Sequence, residues 1–270
     1  MNDAGVAVEA AEAGAVMVRA QYGLPVERFA KSPTDFATAT DIEAEQAILA
    51  VLRKHRPDDA VLGEEGGRAG PTGAERTWLV DPLCGTLNFA VQTPLIAVNV
   101  ALSAAGVVTA SASADPIADE VFWSDASGAW RRRSGVDTPL TPSAVSALVD
   151  VNLDAVHPDP GRFRPADLLG HPDFRRTYGG RVLSTTLALV WVAAGRRAAY
   201  VTDGRFEDNV HFASGIAICR AAGCVVTDLR GQPVDSPGGS GLLVAADGKT
   251  HRRLLELCVN SVDGIGKEQV

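Results

Sequence analysis

The sequence lacks the features that identify several large classes of protein. No uncharged apolar run reaches the length of about eighteen residues that a membrane span needs, so no span is expected. The opening residues, Met1 to Asp3, do not lead into the basic and apolar regions of a secretory signal peptide, so none is expected. There is no basic surplus either, because the formal net charge is -8. Such a charge argues against non-specific binding to nucleic acid.

Cysteine is scarce, and the few cysteines do not have the spacing of a disulfide framework. They are Cys84, Cys219, Cys224 and Cys258. We therefore expect reduced thiols and a cytoplasmic location.

Glycine motifs for nucleotide binding are also missing. Gly248-Lys249-Thr250 resembles the end of a P-loop, but Leu243 stands where that motif requires its first glycine. The glycine-rich stretch from Ser236 to Gly241 does not have the GxGxxG spacing in front of a helix. The sequence therefore predicts no nucleotide-phosphate loop.

The composition is that of an ordinary globular protein, with 46% hydrophobic and 21% charged residues in a chain of 270. This length is enough for one large domain or two smaller ones. The stretch from Thr138 to Ser146 is rich in Pro, Thr and Ser and predicts a link. We place an α+β half with an antiparallel sheet at residues 1–140, and an α/β half at residues 141–270.

Hydrophobic periodicity and turn residues predict the regular elements. In the first half they indicate helices over Val6–Ala20 and Ile42–His55, the latter with Thr40 or Asp41 as N-cap, and strands over Leu95–Leu102, Val107–Ala114 and Glu120–Trp123. In the second half they indicate strands over Ala147–Asn152, Ala198–Thr202, Cys224–Asp228 and Gly241–Ala245, and helices over Ser184–Ala194, Phe212–Ala222 and Thr250–Val259. Alternating strands and helices predict a layered α/β fold.

Two acidic turns are the most informative part of the sequence. A strand over Thr77–Val80 runs into a sharp turn that contains Asp81, Cys84 and Thr86. The second turn, upstream, has Glu64 and Glu65 between glycines. Two acidic loops predict a site for a hard cation, but a thiol is not a ligand of hard cations.

The order of these motifs resembles the inositol monophosphatase family. The matching runs are Lys31–Asp41, Gly63-Glu64-Glu65, Asp81–Phe89 and Val210–Asp228, and the resemblance extends over Val6–Val259. It implies an α/β fold with alternating α and β layers, a homodimer, and metal-dependent hydrolysis of a small phosphorylated polyol in a pocket between the two halves. It implies that Glu65, Asp81 and the carbonyl of Leu83 hold a first metal, and that Thr86 and Asp41 orient the attacking water.

Several positions depart from the family pattern. The second metal of the family uses two further aspartates, which fall at Cys84 and His211 in this sequence. Leu183-Ser184 replaces a Gly-Ser pair, and Arg181 stands near a small hydroxyl residue of the family. No glutamate clearly matches the substrate-binding acid of the family. We therefore name four substrate-binding candidates, which are Arg181, Ser184, Asp203 and Glu207.

The two substitutions weaken the expected second site, because thiols and imidazoles are poor ligands of Mg²⁺. The leading hypothesis is a diverged enzyme, repurposed for specialised metabolism, in which Cys84 and His211 form a nucleophile–base pair. A phosphatase with one metal, or with a softer metal such as Zn²⁺, is the second reading. A non-catalytic binding protein is the third. The cofactor is accordingly one divalent metal, Mg²⁺ or Zn²⁺, or none.

Overall fold

The computed structural model describes residues 1–32, 35–154, 165–204, 206, 209–234, 236, 239 and 241–264, without the side chains of residues 35 and 259–264. The chain divides into two compact units. Unit 1 consists of Met1–Pro139, Thr185–Leu187 and Asp208–Ala221, and unit 2 of Leu140–Ser184, Ala188–Glu207 and Ala222–Val270. The Glu207 of the sequence-based substrate set lies outside the described residues.

Unit 1 is built on a mixed sheet with two long helices. Its elements are α1 (Asp3–Gln21), β1 (Arg28–Ser32), β2 (Asp35–Thr38), α2 (Ala39–His55), β3 (Ala60–Gly63), β4 (Gly67–Ala69), β5 (Arg76–Cys84), α3 (Thr86–Ala90), β6 (Ala97–Ala104), β7 (Val107–Asp115), β8 (Glu120–Asp125), β9 (Gly128–Arg133) and β10 (Val136–Pro139). Within the described residues, eight strands pair in the order β10-β9-β8-β7-β6-β5-β3-β4. The pairing is antiparallel except between β3 and β5, and β1 and β2 form a separate hairpin.

Helices α1 and α2 cover this sheet with an apolar face rich in small residues. The buried side of α1 includes Val6, Ala10 and Val18, and α2 contributes Ile48 and Leu52. These side chains join the strand residues in one core. Small residues on α1 let the helix approach the sheet closely, so that most of the apolar area is removed from water.

Helix α2 begins earlier than the sequence predicts. Thr38 is its N-cap, and Asp41 is the third helical residue, whose carboxylate accepts the Thr38 backbone N–H at 2.8 Å. This reciprocal capping arrangement satisfies donors that a helix N-terminus leaves unpaired. The sequence-based choice of Thr40 or Asp41 as N-cap is therefore wrong, because the acid acts from inside the first turn.

Unit 2 is built on a smaller mixed sheet. Its elements are β11 (Leu148–Asn152), α4 (Pro165–Gly170), α5 (Pro172–Thr177), β12 (Gly179–Val182), α6 (Leu187–Ala193), β13 (Ala199–Thr202), β14 (Val225–Thr227), β15 (Leu242–Ala245) and α8 (Gly248–Gly264). The first residue of α6 belongs to unit 1. Helix α7 (Ala213–Ala222) belongs to unit 1 except for its last residue. The strand order is β12-β11-β13-β15-β14 among the described residues. Strand β11 pairs in parallel with β12 and β13, and β15 pairs antiparallel with β13 and β14.

The mixed sheets with helices confirm the predicted α/β class. The boundaries of several elements differ for local reasons. Helix α6 starts at Leu187 and not at Ser184, because the Thr185 hydroxyl accepts the Leu187 N–H at 3.2 Å and turns the chain first. Strand β15 starts after Gly241, whose φ of +75° is unfavourable for other residues. No helix in the described ranges has the length and apolar character that crossing a membrane requires.

Candidate active site

The turn after β5 is shaped by an irregularity in the sheet. Asp81 pairs with Asn99 of β6, but the register shifts before Cys84 pairs with Ala97. Gly85 then adopts a φ of +93°, and a Cβ atom there would lie 2.8 Å from the Leu95 carbonyl oxygen. Only glycine tolerates both conditions. The strand can therefore end abruptly, and α3 begins at Thr86.

Three side chains of the types that coordinate cations lie close together at this turn. Strand β3 runs parallel to β5, and the Glu64 N–H that follows β3 donates to the Val80 carbonyl at 3.0 Å. Glu64 thus lies beside Asp81, and His211 approaches both from the segment before α7. One ligand atom from each of Glu64, Asp81 and His211 lies within 4.8 Å of the others. In the described residues this group has the composition of a metal site.

The imidazole of His211 is held by carboxylates. Its Nδ1 lies 2.9 Å from Asp81 Oδ2 and 3.7 Å from Glu64 Oε2. Burial lowers the pKa of His211, but the Asp81 and Glu64 charges outweigh burial and raise that pKa to about 9. Burial and the neighbouring Asp81 charge raise the pKa of Glu64 as well. His211 and Glu64 therefore both tend to keep their protons, and these protons reduce the negative charge of the pocket.

Asp81 is the buried centre of the group. The side chain is fully shielded from solvent, and Oδ2 accepts from Asn99 Nδ2 at 3.3 Å in addition to its contact with His211. Oδ1 is buried without a hydrogen-bond partner among the described residues. A buried carboxylate oxygen without a partner is costly and rare, and a bound cation is one way to satisfy it.

Glu65, the sequence-based metal ligand, is not a member of this group in the described residues. Its carboxylate pairs with Lys31 Nζ at 2.6 Å, and its backbone N–H donates to Glu45 Oε2 at 3.0 Å. Glu64, which shares Lys31 with Glu65, is the glutamate grouped with Asp81 and His211 among the described residues. The metal-binding role of Glu65 remains a prediction.

Thr86 and Asp41 do meet, as the family resemblance implies. Thr86 Oγ1 lies 2.9 Å from Asp41 Oδ1 and 3.2 Å from the Leu83 carbonyl oxygen. The other carboxylate oxygen of Asp41 caps α2 at Thr38. The position of Asp41 is therefore tied to the start of a long helix, and that of Thr86 to the turn after β5. The roles of Thr86, Asp41 and the Leu83 carbonyl remain predictions.

Cys84 and His211 have different polar partners. The thiol of Cys84 is hydrogen-bonded to Thr186, whereas His211 contacts Asp81 and Glu64. Burial and the Asp81 charge raise the pKa of the Cys84 thiol well above its ordinary value. These surroundings disfavour a thiolate, which is the reactive form of cysteine. Cys84 is also not a member of the three-residue group.

The remaining substrate-binding candidates belong to unit 2. Arg181 is exposed on β12, and its Nη1 donates to the Gly180 carbonyl at 2.9 Å. Ser184 is exposed just beyond β12, and Asp203 is buried after β13, where Oδ1 accepts the Gly204 N–H at 2.8 Å. Their role in binding a substrate remains a prediction.

Sequence reasoning missed three residues of this site, which are Glu64 as the acid that faces Asp81, Asn99 and Lys31. The signal for Glu64 was its position directly after the glycine that ends β3, where its backbone continues from β3 alongside β5. Lys31 pairs with both glutamates, and it stands in one of the motif runs. Asn99 has no signal in the sequence, because its contact with Asp81 depends on the pairing of β5 with β6.

Comparison with known proteins gives a consistent result. The model of the inositol monophosphatase family matches residues 2–263. An inositol-1-monophosphatase of Caulobacter vibrioides is 32% identical over 234 residues, covering 84% of this chain and 88% of the relative. The Escherichia coli K12 protein named Nus factor SuhB is 31% identical over 239 residues, covering 84% and 85%.

A solved structure has the same fold over nearly the full length. The extragenic suppressor protein suhB of Bartonella henselae superposes with a TM-score of 0.82 at 26% identity, covering 98% of each chain. The family model, the relatives and this structure agree with the resemblance that the acidic motifs indicate. The chain belongs to the inositol monophosphatase family.

Proposed function

We propose that this protein hydrolyses a small phosphate monoester, of the polyol phosphate class, at the group formed by Glu64, Asp81 and His211. The observation that carries the proposal is the buried, unpartnered Asp81 Oδ1 beside a second carboxylate and an imidazole. Membership of a family of phosphatases supports the reaction class. The relatives named inositol-1-monophosphatase support a phosphorylated polyol as the kind of substrate.

The three side chains fit one divalent cation. Two carboxylates and one imidazole form a mixed oxygen and nitrogen set, which Zn²⁺ or Mn²⁺ accepts more readily than Mg²⁺ does. When bound, such a cation would supply Lewis-acid polarisation of a phosphoryl oxygen or of a water molecule. A protonated His211 and a divalent cation are alternative positive charges for this pocket, because a ligand imidazole must be neutral. We infer that ordinary Mg²⁺-dependent activity is weakened.

Other residues near this group can orient the attacking water and balance the charge. Thr86 and Asp41, joined at 2.9 Å, form an acceptor pair that can orient a water molecule and take up its proton. Lys31, whose pKa is raised by its pairing with Glu65 and Glu64 despite burial, stays charged and offsets the acidic turn. The local negative charge therefore does not repel a phosphate as strongly as two unpaired glutamates would.

The contacts favour this reading over the nucleophile–base pair. A Cys84 nucleophile requires a thiolate, and burial beside Asp81 opposes its formation. His211 Nδ1 is already engaged with Asp81. The non-catalytic reading is less favoured because the Thr86–Asp41 pair is in contact and because Glu64, Asp81 and His211 form a candidate cation-binding group. The expected homodimer remains a prediction from the family.

The test is phosphate release from a panel of polyol and sugar phosphates by protein treated with chelator and then supplied with Mg²⁺, Mn²⁺ or Zn²⁺. We expect turnover that requires a cation, is faster with Mn²⁺ or Zn²⁺ than with Mg²⁺, and is lost in Asp81→Asn. Ser111→Ala, which changes a buried hydroxyl of β7 that pairs with Ser124, is the control and should keep the activity. No release with any cation would overturn the proposal.

A further inference from the structure

Asn99 is a buried polar side chain next to Asp81 that has hydrogen-bond contacts at both ends of its amide. It is fully buried on β6, directly opposite Asp81 in the antiparallel register. Its Nδ2 lies 3.3 Å from Asp81 Oδ2 and 2.9 Å from Thr186 Oγ1. Its Oδ1 accepts from Ser113 Oγ at 2.7 Å and from Ser214 Oγ at 3.1 Å. The amide thus uses both of its donors and both acceptor positions.

Chemistry determines which way this amide faces. An ionised carboxylate only accepts hydrogen bonds, so the NH₂ group of Asn99 must be the end that meets Asp81. The carbonyl end then meets Ser113 and Ser214, which can both donate. The hydroxyl oxygens of Ser113 and Ser214 also lie 2.6 Å from each other. The two hydroxyl protons are therefore shared among three close contacts, two with the Asn99 carbonyl and one between the serines. The carbonyl of Asn99 is therefore held by at least one hydroxyl proton in every arrangement.

This network joins several elements that are distant in sequence. Ser113 lies on β7, Ser214 on α7 and Thr186 before α6, while Thr186 also bonds to Cys84. Each partner is part of unit 1. Because the partners are buried and come from the sheet and from α7, the Asn99 amide has little freedom to rotate. The Asp81 oxygen that it contacts is held with it.

We propose that Asn99 is a positioning residue, which holds the Asp81 carboxylate so that Oδ2 faces the amide and His211 while Oδ1 stays available to a divalent cation. The proposal rests on the cation site of the proposed function and deepens it. Hydrogen bonds to a ligand carboxylate from residues behind it typically change metal affinity by about 10- to 100-fold. The network does this without adding a charge to the pocket.

A matched control is present on β7, the strand that carries Ser113. Ser111 lies two residues from Ser113 on β7, is equally buried, and contacts Ser124 Oγ at 2.7 Å. Ser111→Ala therefore removes a buried serine–serine contact of the same kind, in the same sheet, and within the described residues Ser111 makes no hydrogen bond to Asp81. Asn99→Leu keeps the branched heavy-atom skeleton of the side chain and removes the amide.

The experiment measures Mn²⁺ and Zn²⁺ binding by calorimetry on chelator-treated protein. We expect Asn99→Leu to raise the Kd about 10-fold or more, and Ser111→Ala to leave it within about twofold. A folded Asn99→Leu with the Kd of the unchanged protein overturns the proposal, and so does equal weakening by Ser111→Ala. If Asn99→Leu fails to fold, the Ser113→Ala, Ser214→Ala double variant is used, and an unchanged Kd there overturns the proposal.

A second readout separates this proposal from the proposed function. The Nδ1 of His211 must carry a proton to bond to Asp81, and the ¹⁵N signals of the metal-free protein report that proton. If the unchanged protein binds no cation, the proposed function fails. The His211 signals then test separately whether Asn99 positions the Asp81 carboxylate. A changed Nδ1 signal in Asn99→Leu, with the original signal in Ser111→Ala, supports positioning. Identical signals in both variants overturn it.

Discussion

His211 Nδ1 lies 2.9 Å from Asp81 Oδ2, although the two residues are 130 positions apart in the chain. The contact pairs a buried carboxylate with an imidazole whose pKa is raised, so that a positive charge is built into the pocket. The family resemblance implies two further aspartates near this place, at the positions of Cys84 and His211. This chain therefore has fewer acids at the positions that the resemblance assigns to the second metal, and an imidazole that favours protonation when no cation is bound. Its preference for an external cation should differ accordingly.

Replacement of Cys84 and His211 by aspartate should restore Mg²⁺ dependence. The Cys84→Asp, His211→Asp variant supplies oxygen ligands, which Mg²⁺ prefers, in place of a thiol and an imidazole. We expect Mg²⁺-dependent phosphate release to rise about 10-fold or more, since leaving-group stabilisation by a second cation becomes available. The measurement is phosphate release against Mg²⁺ concentration. A double variant that binds Mg²⁺ in calorimetry and still shows no gain would contradict the role assigned to the two positions.

The Cys84 thiol should react slowly at neutral pH. A free thiol with a pKa of about 8.5 is about one-tenth ionised at pH 7.5, and burial with the Asp81 charge reduces that fraction for Cys84. Alkylation by iodoacetamide should therefore be slower than that of glutathione and should accelerate steadily as the pH rises to 10. Mass spectrometry of chelator-treated protein locates the label, with Cys84→Ala as control. Rapid labelling at pH 7 that abolishes turnover would revive the nucleophile hypothesis.

Removal of the Thr86 hydroxyl should affect turnover more than stability. Thr86→Val retains the shape of the side chain but cannot donate to Asp41 or to the Leu83 carbonyl. Loss of a proton-transfer group typically costs about 100-fold in rate, so kcat should fall by about that factor while metal affinity changes little. Thr86→Ser is the matched control and should keep most of the rate. Equal loss in both variants would show that the hydroxyl alone does not sustain turnover, and would contradict the role assigned to it.

Substitution of Asp41 should lower both turnover and stability, because its second carboxylate oxygen caps α2 at Thr38. Asp41→Ala should lower the rate as Thr86→Val does, and it should also destabilise the protein by about 1 kcal/mol, the usual size of a lost helix cap. Urea unfolding measures the second effect. Thr86→Val provides the comparison, since it leaves the cap in place. A stable Asp41→Ala protein would mean that water replaces the cap.

Stability should depend on pH through His251, which lies far from the acidic turns in sequence. Burial, with a smaller contribution from Arg252, lowers the pKa of His251 in the folded protein, and its Nε2 lies 2.8 Å from Thr227 Oγ1. The unfolded chain therefore binds the proton more readily, so His251 contributes stability above its unfolded pKa of about 6.5 that is lost as the pH falls toward the lower folded value. The free energy of unfolding should decrease from pH 7.5 to pH 5.

The check is urea unfolding at both pH values, with His251→Gln as the comparison. The glutamine variant cannot titrate at this position, so its decrease should be smaller than that of the unchanged protein. The same decrease in both proteins would assign the pH dependence to other groups.

Much of the fold followed from local patterns. The apolar strands in the middle of unit 1 are recognisable because their turns are marked by short polar or glycine-containing segments. The predicted strand from Val107 to Ala114 is observed over Val107–Asp115, and that from Glu120 to Trp123 over Glu120–Asp125. Short, exposed strands such as β1 and β10 were not predicted, because their residues carry no alternation of buried and exposed positions.

For the site, local patterns were enough to locate the two acidic turns and to indicate the family, because the Asp81–Phe89 and Glu64–Glu65 motifs are each contiguous in the chain. The tertiary structure alone decided which glutamate faces Asp81, since that depends on the parallel register of β3 and β5. It also showed that Cys84 and His211 have different polar partners and that Asn99 lies within hydrogen-bonding distance of Asp81. Contacts and charges of this kind depend on distances between remote segments, which no local pattern encodes.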